Sequence, residues 1–123
     1  MLTIPPSVKV YLAAGTTDMR KSFDTLAALV KTALDQDPLS GHLFLFCNRK
    51  RDRLKVLHWD GSGLWVLAKR LEKGTFAWPD AGDTSCVELR AGELALLLGG
   101  LDLARTRRRR WYERTSARKL DMQ

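Results

Sequence analysis

Three apolar runs set close together in the middle of the chain do most to limit what it can fold into. Residues 42–47, 53–59 and 64–71 are each of strand length, and only Asn48-Arg49-Lys50-Arg51-Asp52 and Asp60-Gly61-Ser62-Gly63 separate them. Links this short, made of turn-forming residues, join strands that lie side by side and run in opposite directions, so an antiparallel meander is expected. In the second run Arg53, Lys55, Leu57 and Trp59 point one way and Leu54, Val56 and His58 the other, because side chains alternate along a strand. Two cations therefore share one sheet face.

The flanks supply the rest of a domain. Val8, Val10 and Leu12 alternate with Lys9 and Tyr11, the period of a half-buried strand, and Gly15-Thr16-Thr17 closes it. Met19, Phe23, Leu26, Ala27, Val30 and Leu34 recur at steps of three and four, which predicts a helix over residues 18–35. Thr17 or Asp18 would cap it, Arg20 and Asp24 would pair one turn apart, and Asp37-Pro38 with Gly41 would stop it. After the Glu72-Lys73-Gly74 turn, residues 75–78 are expected as a further strand ended by Pro79. Residues 80–85 form a turn-rich connector, and Leu94, Leu97 and Leu98 suit a short helix ending at Gly99-Gly100. With 123 residues, 45% of them hydrophobic, the chain has enough apolar material for one core. The expected fold class is α+β over residues 1–103: an antiparallel twisted sheet of about five strands, one long helix on a face and a short C-terminal helix. Residues 104–123 would form a basic arm.

Charge points to a partner. The chain carries 21 Lys and Arg against 14 Asp and Glu, a net +7, unevenly spread. Residues 103–123 hold eight basic and two acidic side chains, residues 49–73 eight and three, and residues 80–102 one and five. Arg49, Lys50, Arg51, Arg53 and Lys55 crowd onto a hairpin tip and the strand leaving it, with Lys69 and Arg70 on the next strand; such a surface can grip phosphates. A solvated edge that resists aggregation is the bland alternative. In the arm, Arg107, Arg108, Arg109 and Arg110 adjoin Trp111 and Tyr112, combining phosphate neutralisation with rings that stack on bases. Arginine outnumbers lysine seven to one there, which fits bidentate phosphate contact better than a merely solubilising tail. Nucleic acid is the expected partner.

Other chemistries find less support. His42, His58, Cys47 and Cys86 show neither the CxxC nor the HxxxH spacing of converging metal ligands, so no metal site is expected. Gly61-Ser62-Gly63 lacks the outer glycines of a nucleophile elbow and joins two strands, as a hairpin turn would. Asp18, Asp24, Asp52 and Asp60 could form the carboxylate cluster of a small metal-dependent nuclease, but capping, helix pairing and turn formation account for them individually. No catalytic residue and no cofactor is expected. No apolar run approaches the roughly 20 residues of a membrane span, and residues 1–6 lack the pattern of a signal peptide. A cytoplasmic location without a membrane partner is expected, with both cysteines reduced and buried as small apolar residues.

Several blocks of the chain resemble one family. Leu12-Ala-Ala-Gly-Thr-Thr-Asp-Met-Arg-Lys21, Phe23-Asp24, Gly41-His-Leu-Phe44, Trp59-Asp-Gly-Ser-Gly63 and Lys69-Arg-Leu-Glu-Lys-Gly-Thr-Phe-Ala-Trp-Pro79 are similar, in this order, to the TnpB accessory proteins encoded by the second reading frame of sixty-six-type bacterial insertion sequences. Ser22 stands where glycine is expected in that family. The resemblance covers about Val8 to Leu103 and implies a non-catalytic role in transposition, beside a larger transposase that carries the catalytic carboxylates. At 123 residues the chain is too short for the RNA-guided nuclease that shares the TnpB label. DNA at the element ends and the larger transposase are the expected partners, and an exposed strand edge would permit a homodimer. A protein adapter that meets the transposase through its acidic residues 80–102 is the rival expectation.

Overall fold

The strand Leu43–Cys47 is buried along its whole length. Its sequence, Leu-Phe-Leu-Phe-Cys, has no polar residue to offer solvent on either side, which is the pattern of a strand covered on both faces. The computed structural model describes residues 7–99 and sets this strand at the centre of a five-stranded sheet. In chain order the elements are β1 (Val10–Ala13), α1 (Phe23–Thr32), β2 (Leu43–Cys47), β3 (Arg53–Trp59), β4 (Leu64–Arg70), β5 (Cys86–Leu89) and α2 (Ala91–Gly99). Across the sheet the strands run β4-β3-β2-β1-β5. The α+β class and the β2-β3-β4 meander are as expected.

The sheet is mixed, not antiparallel throughout. β1 and β2 run parallel, with Val10 opposite Leu43 and Leu12 opposite Leu45, while every other neighbouring pair is antiparallel. The reason lies in the connection: α1 carries the chain back to the end where β1 began, and a strand that follows such a crossover must run in the same direction as the first.

The helix is also shorter than its apolar periodicity suggested, ten residues instead of eighteen. Asp18 turns back on its own chain: its Oδ1 accepts from Arg20 N at 2.9 Å, and Lys21 N donates to Asp18 O at 3.1 Å. Residues 18–21 are thereby held in a turn. The helix starts after Ser22, whose N–H donates to Thr25 Oγ1 at 2.8 Å, which satisfies a backbone donor otherwise left without a partner. At the other end Asp35 takes a left-handed φ of 54° and Gln36 N donates to Val30 O at 3.0 Å, closing the last turn.

Alternation along the strands divides the core in two. On one face Leu26 and Val30 of α1, with Leu34 just beyond its end, pack on Tyr11, Phe44, Phe46 and Leu57. On the other, Leu94 and Leu97 of α2 join Phe76 and Trp78 over Leu12, Leu45, Leu54 and Val56. Residues 75–78 are not a strand. Phe76 and Trp78 alternate with less buried neighbours as strand residues would, but they drop into the core from an irregular segment. That segment is tied by Phe76 N to Arg51 O at 2.7 Å and by Trp78 Nε1–H to Ala13 O at 2.8 Å. The fifth strand is β5, where Val87 and Leu89 face inward beside β1. Cys47 is buried and Cys86 half-buried, on opposite faces of the sheet. Among the described residues no helix is long and apolar enough to cross a membrane.

Candidate nucleic-acid interface

Because β1 and β2 are parallel, their carboxyl ends lie at the same edge of the sheet, and the loops leaving them meet there. Thr17 N donates to Cys47 O at 2.8 Å, which pins the loop after β1 against the end of β2. The turn after β2 is organised by Asn48. Its Oδ1 accepts from Asp52 N at 3.1 Å and from Arg53 N at 3.0 Å, and its Nδ2 donates to Asp52 Oδ1 at 2.8 Å. Arg51, with φ 64°, completes the turn.

Between the two loops opens a cleft of about 480 Å³. Thr16, Thr17 and Asp18 form one side, and Arg49, Lys50 and Arg53 the other. Brought together here are three of the expected phosphate-gripping cations, and all three are exposed. No carboxylate lies within ion-pair distance of them among the described residues. Asp18 is engaged elsewhere: it holds the Arg20 guanidinium at 2.7 Å, and that side-chain hydrogen bond above all lowers its carboxyl to about 2. The Arg20–Asp24 pair expected on the helix is replaced by this shorter-range one. Asp52 remains as the local anion, its pKa lowered first by the Asn48 hydrogen bond and less by Arg53 and Lys50. Three cations thus face one carboxylate that has no ion-pair partner among the described residues, which leaves the cleft with a surplus of positive charge.

The other candidates are placed differently. Arg51 points inward, its side chain only 18% exposed; Nη1 donates to Gly15 O at 2.7 Å and Nη2 meets Asp80 Oδ1 at 3.3 Å, so it fastens the hairpin tip to the end of β1. Lys55 Nζ donates to Lys21 O at 2.7 Å, ahead of α1. Arg70 stands directly opposite Arg53 in the ladder and leans on Glu72 at 3.3 Å. Lys69 lies on the other face, where its Nζ donates to Leu98 O at 2.8 Å near the end of α2. Arg107, Arg108, Arg109, Arg110 and Trp111, and the boundary at residue 103, lie outside the described residues.

Thr16, Thr17 and Asn48 escaped the sequence reasoning as parts of a site. Each looked like ordinary turn chemistry, and only parallel pairing of β1 with β2 makes their loops neighbours. Asp60, by contrast, is at the far end of β3 from Asp52, occupied by its own hairpin turn. Among the described residues no three His, Cys, Asp or Glu side chains are grouped so as to hold a metal ion.

The comparison that decides kinship covers most of this structure: the IS66 Orf2-like protein family matches residues 8–108. The chain belongs to that family. The chain is also similar to two proteins of Sinorhizobium fredii strain NGR234. The uncharacterized protein y4hO is 40% identical over 102 residues, covering 83% of this chain and 88% of its own. The uncharacterized protein y4jC is 36% identical over 102 residues, covering 83% and 86%. No solved structure matches the chain. The IS66 Orf2-like match contains both loops of the basic cleft as well as every strand of the sheet.

Proposed function

We propose that this IS66 Orf2-like protein is a non-catalytic accessory factor in transposition that holds nucleic acid at the element ends. The basic cleft at the carboxyl ends of β1 and β2 takes phosphates, and the arginine-rich arm adds further contacts. The observation that carries the reading is the trio Arg49, Lys50 and Arg53, exposed on a turn that Asn48 and Arg51 hold in shape and without an ion-pair partner among the described residues. A cation fixed by the fold but not neutralised by it is available to a polyanion, and displaced counterions then drive binding. Contacts of this kind position a protein on DNA without reading its sequence. The family relationship supports the transposition context.

The test is a binding titration of the full chain against element-end DNA, unrelated DNA and RNA, repeated without residues 104–123 and with R49A/K50A/R53A. Log affinity should fall with log salt by about 0.9 for each phosphate contacted, and both variants should flatten that slope. Affinity that is flat in salt, or unchanged in both variants, rejects the reading. In that event retention of the larger transposase after nuclease treatment would favour an adapter acting through the acidic residues 80–102.

A further inference from the structure

The sheet ends on one side at β4, a strand of seven residues, and on the other at β5, which has four. A long open edge presents a row of N–H and C=O groups to any strand that can lie beside it. Two bonds that bracket the β3–β4 ladder show which residues present them. Leu71 N donates to Asp52 O at 2.8 Å, and Asp60 N to Gly63 O at 3.1 Å. Every second residue of an antiparallel strand bonds to a given neighbour. In this phase Trp65, Leu67 and Lys69 bond to β3, and Leu64, Val66, Ala68 and Arg70 turn their backbone groups outward. Among the described residues no backbone group meets them there. Pro and a bulge, two of the devices that blunt an edge, are absent from β4, and its cations, Lys69 and Arg70, stand at one end only.

That unevenness selects a partner. A second copy of β4 lying parallel would set Lys69 and Arg70 beside their like, which is destabilising. A copy lying antiparallel and centred on Leu67 sets Arg70 opposite the partner's Leu64, Lys69 opposite the partner's Trp65, and Val66 opposite the partner's Ala68. No like charges then face each other, and all four outward residues gain a bonding counterpart. Sliding the copy by two residues either way takes Leu64 or Arg70 off the end of the partner strand. The centred register also covers an exposed ring: Trp65 is 54% exposed, with its indole fixed by Nε1–H to Asp60 Oδ2 at 2.7 Å. The alkyl stem of the partner's Lys69 can lie along it.

We propose that the protein pairs with a second copy of itself through β4, antiparallel and centred on Leu67, so that two five-stranded sheets join into one. Leu67 and Trp65 also line an apolar groove of about 1100 Å³ between the sheet and α2, and the grooves of the two copies adjoin across the axis. The two basic clefts come to lie at opposite ends of the joined sheet, since the paired strands run in opposite directions. The pairing does not depend on whether those clefts meet nucleic acid.

Cross-linking reads the register. Positions 65, 67 and 69 fall in non-hydrogen-bonded pairs across the new seam, where side chains approach within disulfide reach. Leu67→Cys should therefore link to its own copy under oxidised glutathione, and W65C mixed with K69C should link to each other while neither does so alone. The unaltered chain, with Cys47 buried and Cys86 half-buried, is the control. In sedimentation the full chain should pass from monomer to dimer as concentration rises. Ala68→Pro should keep it monomeric with unchanged circular dichroism, because that outward N–H makes no bond among the described residues. A chain still monomeric at about 1 mM, a dimer that Ala68→Pro leaves intact, or W65C and K69C each linking to itself as readily as to the other would overturn the proposal. The mixed cross-link at the exposed positions 65 and 69 decides the matter even where Ala68→Pro does not fold.

Discussion

Asp60 shows how much one exposed side chain can organise. Its Oδ1 accepts from the Ser62 and Gly63 backbone at 2.9 Å each, and its Oδ2 from Trp65 Nε1–H at 2.7 Å. These bonds, the Ser62 N–H first, hold its carboxyl well below the usual carboxylate range. Since the folded-state pKa lies below that of the unfolded chain, the stabilisation is complete above about pH 4 and is lost as acidity increases past it. Asp18, lowered to about 2 by Arg20, behaves in the same direction. The Tm of the protein should therefore fall between pH 5 and pH 2, and that of Asp60→Asn should fall less steeply; parallel curves would contradict this account. Trp78 acts from inside the core, and its indole joins the irregular segment to β1 through Ala13 O. Trp78→Phe keeps most of the bulk but leaves that carbonyl without its donor, at about 1–3 kcal/mol. Trp78→Ala also opens a cavity and should lose about 3–5 kcal/mol in urea unfolding. That Trp78 was apolar and inside could be foreseen. Its hydrogen-bond partner, 65 residues away, could not.

Elements were legible where short-range patterning and chain connection agreed. β3 has the expected bounds and β2 and β4 nearly so, because short turns leave little freedom in register. α1 was overextended because Met19 and Leu34 keep the helical period although Asp18 and Asp35 stop the backbone on either side. β5 was missed although Val87 and Leu89 alternate about Glu88, a four-residue signal overshadowed by the bulkier Phe76 and Trp78. Two predictions belong to this scale. Gly15 has φ 84°, and a Cβ there would sit 2.9 Å from that of Ala81. Gly15→Ala should cost about 1–3 kcal/mol by chemical denaturation, with Ala81→Gly recovering the steric part only. Arg53 and Arg70 face each other across the β3–β4 ladder, an arrangement that disfavours pairing. Arg53→Thr should thus stabilise the fold by about 0.2–1 kcal/mol while weakening the dependence of nucleic-acid affinity on salt.

At the scale of the whole molecule, a βαβ unit brings two loops to one sheet edge, and a meander adds the strands that carry the charge. The cleft forms where β1 and β2 end side by side, the place at which open sheets with parallel strands commonly bind ligands. R49A/K50A/R53A should lower the salt slope by about 2–3 if each cation meets one phosphate, with unchanged circular dichroism and no fall in Tm, since none of the three side chains is hydrogen-bonded to another of the described residues and loss of Arg53 relieves its repulsion with Arg70. Arg51→Ala should behave in the opposite way, losing stability first, because its guanidinium joins Gly15 and Asp80.

The sequence by itself determined the fold class, the meander, the buried faces and the basic character of the hairpin tip, since these follow from period, turn length and local charge. Tertiary structure alone decided that β1 and β2 are parallel and that Cys86–Leu89 is the fifth strand. It also turned Arg51 and Lys55 inward while Arg49, Lys50 and Arg53 stay exposed around one cleft. Those outcomes depend on which backbone groups distant in the chain find each other, and a carbonyl such as Gly15 O or Lys21 O looks the same in every sequence until the fold presents it to a particular cation.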